Sequence, residues 1–452
     1  MEIELCEGPR PGLALGVAKQ LAAARYVEEE LVVRGEADLY TYDAQWNTLP
    51  RRTGVPFRTR LIVRRPAPEG PRASDAVIEP LHPAGDMASA WARTGRTILR
   101  EGMTWIGVTQ DVFGLRALKG AKPERYAELD IPEPGLGFDI VARVAAWLRG
   151  PKSPLPVPDR LYMTGASFTG TFQRVFIGDG FHARARRPDG GPAIDGYLIQ
   201  ISSGAFMLGG YHALSDGTSV PPAGDRRRTI QPLDVPVIEM LSEGEAETNA
   251  GSRRPDSDAP GDRYRLYEVP GAAHMTAHDA GPLALPVVET ASDFPMDMLV
   301  GGALLNLRRW VTQNVAPPRA ERLQILDDRD AGPRGRRDEA FPLRRDAHGN
   351  AVGGLRSPWV DLPIASYSPH STPRSPDGPP RDPSARIRLE PADVADLMGC
   401  MTLFPPEKLK ALYGTPERFD RLLDAALQRM VNARWISETD AERARQRDVE
   451  RF

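Results

Sequence analysis

Hydrophobic and polar positions follow two periods along this chain. Short β-branched or alternating apolar runs occur at residues 26–33, 57–64, 76–81, 104–109, 160–164, 196–201, 235–241 and 263–269, and each predicts a strand. The first run leads into a turn at Gly35 and a second extended stretch. FRTRLIVR at 57–64 alternates as an edge strand would. Between the runs the apolar spacing becomes helical. One helix is predicted over 87–101, stopping at Gly102, and another over 138–149 before Gly150. A third starts at about Phe168, and a fourth covers 296–313. Strands alternating with helices predict an α/β fold, a mostly parallel sheet of eight strands with helices on both faces.

Prolines and glycines mark where these elements stop. The 44 prolines and 42 glycines cluster at 66–72, 150–158, 216–226, 250–261, 314–335 and 368–383, which read as loops. Beyond Val315 the chain turns Pro-, Arg- and Asp-rich and then helical from 392 onward. We read 1–313 as the main unit, with an insertion at about 203–232 capping it, and 314–452 as a C-terminal extension packed on it. Met207, Leu208, Tyr211, Trp359 and Tyr367 are candidates to line an apolar pocket under this cap.

Composition narrows the partners. The 58 Lys+Arg nearly balance 61 Asp+Glu, leaving a net charge of -3, so there is no global field to hold nucleic acid or an anionic membrane. A small-molecule substrate is expected, and a homo-oligomer is compatible with the composition. The first residues are acidic and lack the features of a secretory signal, and no apolar run is long enough to span a bilayer, which predicts a cytoplasmic protein. Cys6 and Cys400 match no metal or redox spacing and read as two buried thiols in a reducing compartment, with a Cys6–Cys400 bridge as the alternative.

The candidate chemistry lies where the fifth predicted strand ends. Gly165-Ala166-Ser167-Phe168-Thr169-Gly170 carries an apolar strand into a tight turn and then a helix. That is the elbow a nucleophilic serine needs: the turn pushes the hydroxyl outward, and the helix start faces a developing oxyanion. In α/β-hydrolases the acid and then the histidine follow the serine along the chain. Of the seven histidines, His274 stands just past the eighth strand after Gly271 and two alanines, and His278 is its near competitor. The orienting acid is expected after the seventh strand. Glu245, nine positions beyond Pro236, is favoured over Glu243, while Glu239 lies inside the strand. Oxyanion donors are expected from the Phe168 N–H and from the turn 81–85, where Pro83 has no N–H and Ala84 or His82 remains. His82 and Gln110, which ends the fourth strand, are candidate substrate contacts. Neither a cofactor nor a metal is called for.

With these pieces in place the chain resembles the α/β-hydrolase domain-containing proteins whose elbow reads G-x-S-x-[ST]-G, so Thr169 stands where that group has Ser or Thr. The likeness extends to Glu79-Pro80-Leu81, LREGMTWIGVT at 99–109, Ser242-Glu243-Gly244-Glu245, DAHGNAVGGLRSP at 346–358 and WVDLP at 359–363. The last blocks imply that the extension belongs to the hydrolase unit. The group carries asparagine where this chain has His82, and commonly aspartate in the acid loop where this chain has glutamate. The resemblance implies a serine hydrolase acting on a carboxylic ester or lactone through a Ser-His-Glu triad. Acyl transfer or amide cleavage on the same triad, and a catalytically silent binding protein on the same fold, are its rivals.

Overall fold

A computed structural model describes residues 1–5, 15–70, 73–204, 224–280, 287–326, 342–375 and 390–449. A ten-stranded sheet runs through it in the order β1-β2-β3-β5-β4-β6-β7-β8-β10-β9. Its strands are β1 (Glu2–Leu5), β2 (Tyr26–Tyr42), β3 (Thr48–Pro66), β4 (Asp75–Pro80), β5 (Thr104–Val108), β6 (Arg160–Ala166), β7 (Gly196–Gln200), β8 (Val237–Leu241), β9 (Ser257–Ala259) and β10 (Asp262–Glu268). The stretch β5-β4-β6-β7-β8-β10 is parallel throughout, and the pairs toward either edge are antiparallel.

All eight predicted strands are present, joined by two short edge strands, β1 and β9, that are too brief to show a period. Two expectations change. Gly35 is not a turn, because β2 runs straight through it and pairs it with Phe57; a Cβ there would meet the Phe57 ring at 3.4 Å and Met1 Cγ at 2.9 Å. The 57–64 segment is not an edge strand either, since β3 lies between β2 and β5. Two of its polar alternates, Arg60 and Arg64, are buried instead of wet, while Arg58 is partly exposed. Arg60 pairs with Glu30 at 2.7 Å and Asp86 at 2.5 Å, and Arg64 pairs with Glu28 at 2.7 Å. Alternation in the sequence therefore marks ion pairs here, not a solvent face.

The central strands are apolar on both sides because each feeds two cores. Ala76 and Ile78 of β4 face one, together with Met163, Ile199, and helices α2 (Gly137–Leu148) and α3 (Phe168–Gly178). Val77, the residue between them, faces the other with Trp105, Tyr162, Leu198 and helices α1 (Trp91–Arg100) and α5 (Met296–Gln313). A further short helix, α4 (Glu243–Thr248), follows β8. Helix α1 begins four residues later than its apolar period, because 82–90 is taken up by turns.

The second core does not stop at 313. Trp359, Tyr367, Phe404, Phe419, Leu423 and Leu427 join it, the last three from helix α6 (Pro416–Asn432), and helix α7 (Glu438–Val449) adds Ala441 and Ala444. Trp359 packs edge-on against Phe294 and donates to Asp448, and Tyr367 packs on the same ring, so both are core residues and not pocket lining. Gly301 and Gly302 would be costly in an isolated helix. In α5 they allow contact on two sides: a Cβ on Gly301 would meet Thr97 at 2.4 Å, and one on Gly302 would meet the Trp435 carbonyl at 1.9 Å.

Of the expected cap at 203–232, residues 205–223 lie outside the described residues, and with them Met207, Leu208 and Tyr211. Cys6 lies outside them too. Cys400 is partly exposed, with its thiol donating to the His370 carbonyl, and is not the buried thiol expected. Among the described residues no helix is long and apolar enough to cross a membrane.

Candidate active site

Strand β6 reads RLYMTGA, buried from its second residue, and delivers the chain into the turn at Ser167. Ser167 has φ 58° and ψ -121°, a backbone that a side chain other than glycine rarely adopts. Its N–H is held by the Gln200 carbonyl of β7 at 3.0 Å, and α3 begins at the next residue. The flanking glycines are dictated by contact. A Cβ on Gly165 would lie 2.5 Å from the Thr169 carbonyl, and one on Gly170 would lie 2.7 Å from Ser202 Cβ. Thr169, buried, ties the elbow together. Its hydroxyl accepts from the Ala166 N–H at 2.9 Å and donates to the Ala166 carbonyl at 3.0 Å, with Ser89 Oγ 3.1 Å away.

His274 reaches the elbow from the loop after β10. Gly271, with φ 84°, turns that loop where a Cβ would strike Phe294 at 2.8 Å. His274 Nε2 lies 2.9 Å from Ser167 Oγ, and Nδ1 lies 2.6 Å from Glu245 Oε1. The other carboxylate oxygen of Glu245 accepts from the Ser242 N–H at 3.1 Å and the Ser242 hydroxyl at 2.6 Å. This is a capping box at the start of α4, with Ser242 as N-cap and Glu245 three residues on. One carboxylate thus closes a helix and orients an imidazole. Both Glu245 and His274 are buried, so these bonds form in a poorly screened environment.

The runner-up acid is elsewhere. Glu243 accepts from the Gly271 N–H at 2.5 Å and pairs with Arg345 at 2.6 Å; burial raises its pKa above the ordinary carboxylate range against the pull of Arg345. It supports the turn that carries His274 and does not touch the ring. Glu239, inside β8, is bound to Arg174 and Tyr264. His278 is exposed on a short helix.

The turn after β4 departs from expectation. The Ala84 N–H, expected to face the oxyanion, donates instead to His82 Nδ1 at 3.1 Å, and the His82 N–H donates to the Met87 carbonyl at 2.8 Å. His82 is turned inward, its ring 5.5 Å from the Phe168 ring in an edge contact. Burial and then the nearby His274 push its pKa down to about 4, so the ring is neutral near pH 7. Gln110 is only 2% exposed and donates to the Leu81 carbonyl at 3.1 Å, bracing the turn from below rather than facing a substrate.

Three further residues support the site. Arg93 of α1 donates to the His274 carbonyl at 2.8 Å while pairing with Asp279 at 2.9 Å. Asp86, at φ 54° in the same turn as His82, accepts from Arg60 at 2.5 Å and from Thr109 at 2.6 Å. Ser242 is the third, and its S-x-x-E spacing was a readable signal for a capping box. No comparable signal exists for the arginines, whose partners are far away in sequence. Among the described residues no three His, Cys, Asp or Glu side chains cluster as metal ligands. A cleft of about 810 Å³, lined by residues including Ser74, Asp75, Arg100, Arg160, Arg308 and Arg434, lies at the opposite ends of β4 and β6, and Ser167, His274 and Glu245 are not among its lining.

A family model described as an alpha/beta hydrolase domain matches residues 3–446. The chain belongs to that family. Membership extends the hydrolase unit through the C-terminal helices and gives the sheet its name, the α/β-hydrolase fold. No curated protein matches this hydrolase-family chain. Among solved structures, an esterase of Rhizomucor miehei aligns at 15% identity over 68% of this chain and 94% of its own, with a TM-score of 0.36. An α/β serine hydrolase without a lid from Xanthomonas campestris aligns at 15% identity over 63% of this chain and 97% of its own, with a TM-score of 0.31. Est1E from Butyrivibrio proteoclasticus aligns at 11% identity over 60% and 99%, with a TM-score of 0.30.

Proposed function

We propose that this chain is a serine hydrolase that cleaves a carboxylic ester or lactone through an acyl-enzyme. The observation that carries the reading is the unbroken chain of hydrogen-bonding distances from Ser167 Oγ to His274 Nε2, 2.9 Å, and from His274 Nδ1 to Glu245 Oε1, 2.6 Å, at a strained strand-to-helix turn. His274 takes the proton from Ser167 as its oxygen attacks the carbonyl carbon. Glu245 holds the ring with its proton on Nδ1 and stabilises the imidazolium that forms. The Phe168 N–H, at the head of α3, faces the oxygen that gains charge. His274 then returns the proton to the leaving alkoxide. Water, deprotonated by the same histidine, releases the acyl group and restores Ser167. The reaction calls for no cofactor.

The test is a panel of acyl esters and lactones of graded size, assayed with the wild type and Ser167→Ala, with and without an alcohol acceptor. Hydrolysis that disappears in Ser167→Ala supports the reading. Equal rates in both proteins overturn it, and ester exchange outrunning hydrolysis in the presence of the alcohol moves the assignment to acyl transfer.

A further inference from the structure

The turn that should supply the second oxyanion donor has no backbone N–H to spare from 81 to 84. Leu81 donates to the Val108 carbonyl at 2.8 Å, His82 to the Met87 carbonyl at 2.8 Å and Ala84 to His82 Nδ1 at 3.1 Å, while Pro83 has none. An imidazole nitrogen that accepts a backbone N–H carries no proton of its own, so the neutral ring of His82 bears its proton on Nε2. We propose that this Nε2–H is the second oxyanion donor, bonding the carbonyl oxygen as Ser167 attacks; the assignment rests on the acyl-transfer reading above.

Three features of the structure support it. The His82 ring packs edge-on to Phe168, the residue whose N–H opens the helix next to the nucleophile, with ring centroids 5.5 Å apart. No described residue takes the Nε2–H, and that atom is not sealed from solvent although the residue is only 9% exposed. The turn is also fixed before any substrate arrives. Asp86 is locked by Arg60 and Thr109, Gln110 holds the Leu81 carbonyl, and Ala84 fixes the ring's tautomer. A donor held still in a partly desolvated site costs no reorganisation when charge develops, which is what makes such groups effective. The depressed pKa of His82 keeps the ring in the neutral form, with one acceptor and one donor, across the range where His274 must act as a base. His82 transfers no proton in this scheme. It differs in that respect from His274, and the two imidazoles divide the work of donor and base.

The test combines kinetics with the ring's own NMR signals. Removing one oxyanion donor lowers kcat by about 10²- to 10³-fold, so His82→Ala and His82→Phe should both lose activity on that scale with KM little changed. His82→Gln, which keeps an acceptor for Ala84 and an N–H to give, should recover much of it. If the ring serves only as packing against Phe168, His82→Phe stays close to the wild type, and the proposal fails. Independently, 15N spectra of the wild type should place the proton on Nε2. That proton should shift downfield when a trifluoromethyl ketone forms its tetrahedral adduct on Ser167. A proton on Nδ1, or an Nε2–H unmoved in an adduct that does form, overturns the role of His82 and leaves the acyl-transfer reading standing. Absence of any adduct on Ser167 removes that reading, and this proposal with it.

Discussion

Thr169 shows at the scale of one residue how the elbow is held. Its hydroxyl makes two bonds to Ala166, the residue before Ser167, so the strained φ of Ser167 is maintained by a side chain on the following helix turn. Thr169→Val keeps the shape but leaves the buried Ala166 N–H without an acceptor, a loss of about 1–3 kcal/mol. A lower melting temperature and slower ester hydrolysis are the expected result, with Thr169→Ser restoring both; equal melting of all three proteins would contradict the role. For Glu245→Gln the expected loss is about 10³- to 10⁴-fold in kcat, because the amide no longer fixes the histidine tautomer, measured on the best ester of the panel. The residues that the structure brings together here, Ser167, His274 and Glu245, each stand in a stretch that is local in sequence: an elbow, a loop past the last strand and an acid loop. The Ala84 N–H was not legible in this way, because its partner is a ring nitrogen whose orientation depends on the whole turn.

Single elements show where burial sets pH dependence. Glu79, at the end of β4, accepts from the Ala90 N–H at 2.7 Å and Trp105 Nε1 at 3.0 Å, joining the strand to the start of α1. Burial pushes its pKa up from 4.5 to about 7, against those bonds. Its folded-state pKa is thus above the unfolded one, so the native state binds the extra proton between those values. The contribution to stability is full below pH 4.5 and is lost as pH rises through about 7. Urea unfolding across this window should show that decline in the wild type and a flatter profile in Glu79→Gln; parallel profiles would contradict it. The strands themselves were legible because each central one must be apolar on both faces. The position of β3 was not, because the pattern FRTRLIVR cannot distinguish arginines in water from arginines paired with Glu30, Asp86 and Glu28.

At the scale of the molecule the chain beyond residue 313 supports the loops that carry Glu243 and His274 and the start of α5. Arg345 pairs with Glu243, two residues before Glu245, and Arg443 and Arg447 reach Asp297 and Asp293 near the start of α5. Gly302 leaves no room for a side chain beside the Trp435 carbonyl, which an added Cβ would meet at 1.9 Å. Gly302→Ala should therefore displace the α6–α7 connection, lowering the melting temperature by several degrees and opening residues 432–449 to limited proteolysis; an unchanged digestion pattern would argue against that packing. The composition change after Val315 showed where this part begins but not that it shares a core with the sheet, since that depends on contacts over more than a hundred residues. We propose Ser167 as the nucleophile, and intact-mass and peptide-mapping analysis after exposure to a fluorophosphonate probe tests that role. One adduct per chain is expected on Ser167, absent in Ser167→Ala and slowed in Glu245→Gln. An unlabelled wild type, or a probe carried on another residue and retained in Ser167→Ala, would contradict it.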